Sequence, residues 1–134
     1  MKIVSLSSSL TEILSALGAE DCLAGASDLC EPATQELPRI GSPKSVRFDL
    51  IDSLAPDWVL ADSQDNRPEE IVRLRERHKV RLFEVKGPEG VCDALAELGR
   101  LVGKREEAKK LIGEIEVQIR QNREAFGGRP QSSR

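Results

Sequence analysis

Short apolar runs alternate along the chain with segments whose apolar residues recur every three to four positions. KIVSLS (2–7) is a β-prone run. In the next segment Leu10, Ile13, Leu14 and Leu17 fall at i, i+3, i+4 and i+7, which predicts a helix with one apolar face. Ser9 and Glu12 have the spacing of a capping box at its start, and Gly18 suits its end. CLAGAS (22–27) predicts a second strand. Residues 28–46, with Pro32, Pro38, Gly41 and Pro43, predict loop. RFDLIDSL (47–54) predicts a short helix and WVLAD (58–62) a buried strand. RPEEIVRLRER (67–77) predicts a helix with Asn66 as N-cap and Pro68 in the first turn. RLFEV (81–85) predicts a strand, and GPEGVCDALAELGRLVG (87–103) a helix with Val91, Leu95, Leu98 and Val102 on one face.

Strands alternating with helices predict an α/β fold of three layers, a mostly parallel Rossmann-like sheet covered on both sides. The strands at 2–6, 22–26, 58–62 and 81–85 are then expected to end at one common edge. Residues 1–104 form this lobe. Residues 105–126 read as one long helix of roughly 33 Å, with Ala108, Leu111, Ile112, Ile115 and Ile119 as its apolar stripe. Residues 127–134 are a polar tail.

A chain of 134 residues suits a single domain. Its net charge of -3 argues against a nucleic-acid or anionic-membrane partner. Trp58, Phe48, Phe83 and Phe126 are the only aromatic residues, too few for a base-stacking platform. Cys22, Cys30 and Cys92 lack the spacing of a zinc site or a disulfide framework. MKIVSLSSS lacks the apolar stretch of a signal peptide, which implies a cytoplasmic chain if Met1 is the native start.

Open α/β sheets bind ligands where strands end in polar loops above helix N-termini. Several polar segments follow strands or face that edge: Ser7, Ser8 and Ser9; Ser27 to Cys30, with Asp28 and Leu29; Ser42 to Ser45, with Lys44; and Ser63 with Gln64. They offer hydroxyls and helix N-terminal amides to a carboxylate- or amide-rich ligand. No glycine-rich nucleotide motif accompanies them. His78 ends a charged helix face, RLRERHK, and reads as a solvated surface residue. Asp62 and Asp65 would pair around a magnesium ion only in a receiver-type domain, whose acids after the first strand are replaced here by SLSSS. Glu69 sits three residues after Asn66, a second capping-box spacing. The alternative is an exposed acid, at Glu69 or Glu70, that meets a partner's arginine.

Three stretches resemble a known family: IVSLSSSLTEILSALGA, LPRIGSPKSVRFDLIDSLAPDWVLADSQDNRPEEIVRLRE and ALAELGRLVGKREEA. They are similar to the N-terminal lobe of helical-backbone substrate-binding proteins, the ABC-transporter receptors for cobalamin, ferric siderophores and haem. The most specific parts are S-x-T-E near the start, the block Gly41–Lys44, and L-x-P-D-x-V-L-A at Leu54–Ala61. The resemblance implies two α/β lobes joined by the 105–126 helix, with ligand held between them and the second lobe absent from this chain. Ser8 and Leu29 stand where many relatives carry proline and tyrosine at the border of that cleft. The family docks on its permease through an acid at the top of each lobe, and Glu69 matches the first-lobe acid, with Glu70 as the close alternative. The implied protein is not an enzyme. It binds a corrinoid or ferric chelate non-covalently, serves an ABC permease, and works in the periplasm or at the cell surface. A small α/β enzyme or signalling domain is the reading from a different class, and an inactive truncated fragment a third. With one lobe only, part of the 105–126 stripe would face water, and a homodimer through that helix is the simplest outcome.

Overall fold

A computed structural model of the chain describes residues 1–26, 39–42 and 45–125. In chain order its elements are β1 (Ile3–Ser5), α1 (Ser8–Ala16), a single 3₁₀ turn (Glu20–Cys22) and β2 (Leu23–Ala26). Then come β3 (Gly41–Ser42), β4 (Ser45–Val46), α2 (Phe48–Leu54), β5 (Trp58–Asp62), α3 (Pro68–Arg75), β6 (Val80–Phe83), α4 (Gly87–Leu101) and α5 (Arg105–Ala125). Four strands form one sheet in the order β2-β1-β5-β6. All its pairings are parallel, with Ile3 beside Leu23 and Trp58, and Asp62 beside Phe83. The expected parallel sheet and the long final helix are therefore both present.

The layering follows from the alternation of side chains along each strand. Ile3 and Leu60 pack into a core with Leu10, Leu14 and Leu17 of α1 and its C-terminal turn, and with Ala94, Leu95 and Leu98 of α4. Val4, Val59 and Ala61 turn the other way, onto Ile51 of α2 and Ile71 and Leu74 of α3. Because both faces are buried, the central strands are apolar at successive positions, Ile3 and Val4 in β1 and Trp58 to Ala61 in β5, instead of every second one. In α5, Ala108 is buried against Gly99 of α4, and Leu111, Ile112 and Ile115 pack on the first core. Further along, Ile119 is half-buried and Val117 is 44% exposed.

Several local expectations fail for identifiable reasons. The loop expected across 28–46 contains a short antiparallel hairpin, Gly41 opposite Val46 and Ser42 opposite Ser45, too brief to leave an apolar period. The capping box of Ser9 and Glu12 does not form. The N-cap is Ser7, and its hydroxyl donates to Asp65 Oδ2 (3.0 Å) instead of capping. The cap of α3 is Arg67, not Asn66, whose side chain bonds Asp62 N and Leu6 O, so the Asn66–Glu69 box is absent too. Cys22 and Cys92 are free and half-buried, while Cys30 lies outside the described residues. Phe126 and the polar tail also lie outside them.

His78 is no solvated surface residue either. Its side chain is 11% exposed, and Nε2 lies 2.8 Å from Asp52 Oδ1, joining α2 to the turn after α3. Arg77 pairs with the other carboxylate oxygen of Asp52. The hydrogen bond to His78, then the Arg77 charge, hold the Asp52 carboxyl below the usual aspartate range. A depressed pKa in the folded state contributes stability above the unfolded value, about 3.9, and that contribution is lost as pH falls through the folded value. Urea midpoints measured from about pH 5 downward should therefore fall more steeply for the natural chain than for Asp52→Asn. Parallel curves would show that the pair contributes nothing on folding.

Candidate functional site

Strand order sets where a site can form. The connection after β1 leads through α1 to β2 on one side, and the connection after β5 leads through α3 to β6 on the other. The loops after β1 and β5 therefore part at a topological switch point, the crevice where open parallel sheets place ligands. The helices α1, α3 and α4 all begin at this edge, so their N-terminal amides point toward it.

Beneath the edge lies a buried polar network. Ser5 Oγ donates to Ser7 O (2.9 Å), and Thr11 Oγ1 lies 2.8 Å from Ser5 Oγ and 3.0 Å from Ser7 O. Ser7 Oγ reaches across to Asp65 Oδ2. The Asn66 amide group donates to Leu6 O (3.3 Å) and accepts from Asp62 N (2.9 Å). Asp62, 2% exposed, accepts from Gln64 N on Oδ1 (2.9 Å) and from Val85 N on Oδ2 (3.4 Å). Burial pushes the Asp62 carboxyl above the usual aspartate range; the Gln64 and Val85 amides oppose this, and the charges of Asp65 and Glu84 add to it. The loops after β1, β5 and β6 are thus tied to one another from below.

Of the residues singled out in the sequence, Ser8 and Ser9 are half-buried at the start of α1, and Ser63 and Gln64 are exposed on the loop after β5. These four share the edge. Ser7 is fully buried under it. Ser42 lies on the hairpin by its backbone pairing with Ser45. Asp28, Leu29 and Lys44 lie outside the described residues. Glu69 is exposed on the first turn of α3. Glu70, half-buried, uses Oε2 to accept from Val46 N (3.3 Å), which anchors the hairpin to α3. The network residues Ser5 and Thr11 escaped sequence reasoning, and Asp62 and Asn66 were read for other roles. The available signal was a polar residue closing an otherwise apolar strand, as in VLAD.

Beside Ser9 and Val85 a groove of ≈ 280 Å³ opens between α1, α4 and α5, lined mainly by Ile13, Val91, Leu95 and Leu111 with Glu12 and Glu114. Its volume is at the lower limit for drug-sized ligands. Among the described residues no three His, Cys, Asp or Glu side chains are grouped to hold a metal ion, and no helix is long and apolar enough to cross a membrane.

Comparisons with known proteins bear on the family and the fold. The family model described as periplasmic binding protein matches residues 3–133. The vitamin B12-binding protein of Vibrio cholerae serotype O1 is 32% identical over 77 residues, 56% of this chain and 28% of that protein. The crystal structure of the periplasmic vitamin B12 binding protein BtuF of Vibrio cholerae superposes with a TM-score of 0.85 at 24% identity, covering 94% of this chain and 51% of that one. A periplasmic heme binding protein from Pseudomonas aeruginosa gives 0.84 at 22% identity, covering 95% and 47%. Identities this low establish a shared fold. The chain spans about half the length of these structures.

Proposed function

The chain belongs to the periplasmic binding protein family, and from that premise we propose that it is a substrate-binding lobe of an ABC importer for cobalamin or a ferric chelate. The observation that carries this reading is the grouping of Ser8, Ser9, Ser63 and Gln64 on tied loops at the switch point. Their hydroxyls and amides, with the N-terminal amides of α1 and α3, suit the carboxylate and amide groups that fringe a corrinoid or a ferric chelate. Asp28, Leu29, Ser42 and Lys44 complete the ligand surface in this proposal, and Ser7 supports it from beneath. Binding is non-covalent and no chemistry follows it. The two other readings, a small enzyme or signalling domain and an inactive fragment, lack a supporting observation of this kind.

The partner is an ABC permease, met in the periplasm or at the cell surface. Exposed Glu69 supplies the docking acid. Glu70 is the weaker candidate, since one of its oxygens is engaged with the hairpin.

Equilibrium dialysis of the chain against cyanocobalamin, haemin and a ferric hydroxamate tests the ligand class. One edge can cover only one side of so large a molecule, while the entropic cost of association is undiminished. Saturable uptake of one of the three is expected, with a Kd weaker than about 10 μM. No saturable uptake of any of them, by this chain or by a two-lobed receptor containing it, would overturn the proposal.

A further inference from the structure

The polar network under the edge has a distribution that packing alone does not call for. A buried ionised carboxylate is disfavoured by desolvation, and a fully apolar strand end would avoid the cost. Asp62 nonetheless stands at the end of β5, where its two oxygens bind backbone amides of two different loops, Gln64 of its own and Val85 after β6. Four residues on, Asn66 extends the tie in the opposite direction. Its carbonyl oxygen accepts from Asp62 N and its amide donates to Leu6 O, in the loop after β1. The peptide carbonyl of Asp62 also accepts from Asp65 N (3.0 Å) and Asn66 N (2.9 Å), closing the turn that carries Ser63 and Gln64.

We propose that Asp62 and Asn66 are paired positioning residues that join the loops after β1, β5 and β6 into one pre-formed ligand surface. This rests on the assignment of that edge as the ligand surface. Neither side chain reaches the surface itself. They act through Ser8, Ser9, Ser63 and Gln64: Asp62 holds the Gln64 amide directly, and Asn66 holds the Leu6 carbonyl two residues before Ser8. The consequence is mechanical coupling: a change at Asp62 is felt directly at Gln64 and Val85, and through Asn66 at the start of α1.

The test uses the ligand-free chain, so its outcome is independent of whether the ligand class is right. The Asp62 carboxyl is titrated by carbon-13 NMR while amide shifts are followed. The charged groups facing Asp62 are Asp65 from its own loop and Glu84 from the loop after β6, and their carboxyl resonances are followed in the same series to separate their titrations. Gln64, Val85, Ser8 and Ser9 amides should share the Asp62 midpoint, which should lie above the ordinary value of about 3.9. In Asn66→Ala, Gln64 and Val85 should still follow Asp62 while the amplitude at Ser8 and Ser9 falls, leaving only the route through Asp65 and Ser7. In Asp62→Ala both amides lose their acceptor, and hydrogen exchange at Val85 should quicken at least about 10-fold with the β1 amides unchanged. If either variant fails to fold, the titration of the natural chain decides alone. Ser8 and Ser9 shifts that ignore the Asp62 titration in the natural chain, or unchanged Val85 exchange in a folded Asp62→Ala, would overturn the proposal. If cyanocobalamin or haemin still bound in that case, the ligand reading would stand and only the positioning role would fall.

Discussion

Gly99→Val is expected to lower the stability of the chain by about 2 kcal/mol, through loss of the fit between α4 and α5. A Cβ built on Gly99 would stand 2.6 Å from Ala108 Cβ and 3.1 Å from Lys104 O. The first distance is well inside van der Waals contact, and the second involves backbone, so a branched side chain has nowhere to turn. The end of α4 is also bonded to the start of α5 through Lys104 N and Gly99 O (2.6 Å), which keeps the two helices from sliding apart to make room. Helix propensity alone predicts the opposite sign for a milder change, since alanine exceeds glycine by about 1 kcal/mol inside a helix. Gly113 provides the control. A Cβ there meets nothing within 4 Å, so Gly113→Ala should raise stability by up to about 1 kcal/mol. Urea denaturation of the two variants should move the midpoint in opposite directions. If Gly99→Val matched the natural chain, α5 would not be seated on α4 as described. A cycle of Gly99→Ala and Ala108→Gly should show favourable coupling, because the second change removes the methyl that the first one strikes.

Glu69→Lys should weaken association with the permease at least about 10-fold, and the natural interaction should itself weaken as salt is raised. Glu69 is exposed and, among the described residues, accepts no capping hydrogen bond, so its part in folding there is that of a carboxylate beside the positive end of α3. That is worth about 0.3–1 kcal/mol. A large docking defect with a small change in melting temperature is the expected pair of results. Glu70→Ala should behave differently, because Glu70 holds the Val46 amide and its loss loosens the hairpin. Docking on permease-loaded nanodiscs, measured at two salt concentrations, would sink the assignment if Glu69→Lys bound as tightly as the natural chain.

Much of the architecture was legible in the sequence because it is written in long-range periodicity. The stripe of Leu10, Ile13, Leu14 and Leu17 and the runs IVS and WVLAD each specify an element and the side that it buries. What could not be read is where a polar side chain chooses between local and distant partners. Ser7 and Asn66 both have N-cap chemistry and both stand at helix starts, yet each spends its side chain on a neighbouring loop. Those partners are 58 and 60 residues away in the chain, so no local rule reaches them. His78 escaped for the same reason, its acceptor Asp52 lying 26 residues earlier on another helix. The candidate ligand residues were legible as loops after strands. Which of them face outward was not, and Ser7 proves to be a buried support.

The central claim is that ligand meets the common C-terminal edge of β1 and β5, and amide chemical-shift mapping with cyanocobalamin and haemin tests it most directly. Shifts concentrated at Ser8, Ser9, Ser63 and Gln64, saturating together with one dissociation constant, are the predicted result. Shifts confined to α5, or to Trp58 and Lys79 at the opposite end of the sheet, would contradict it.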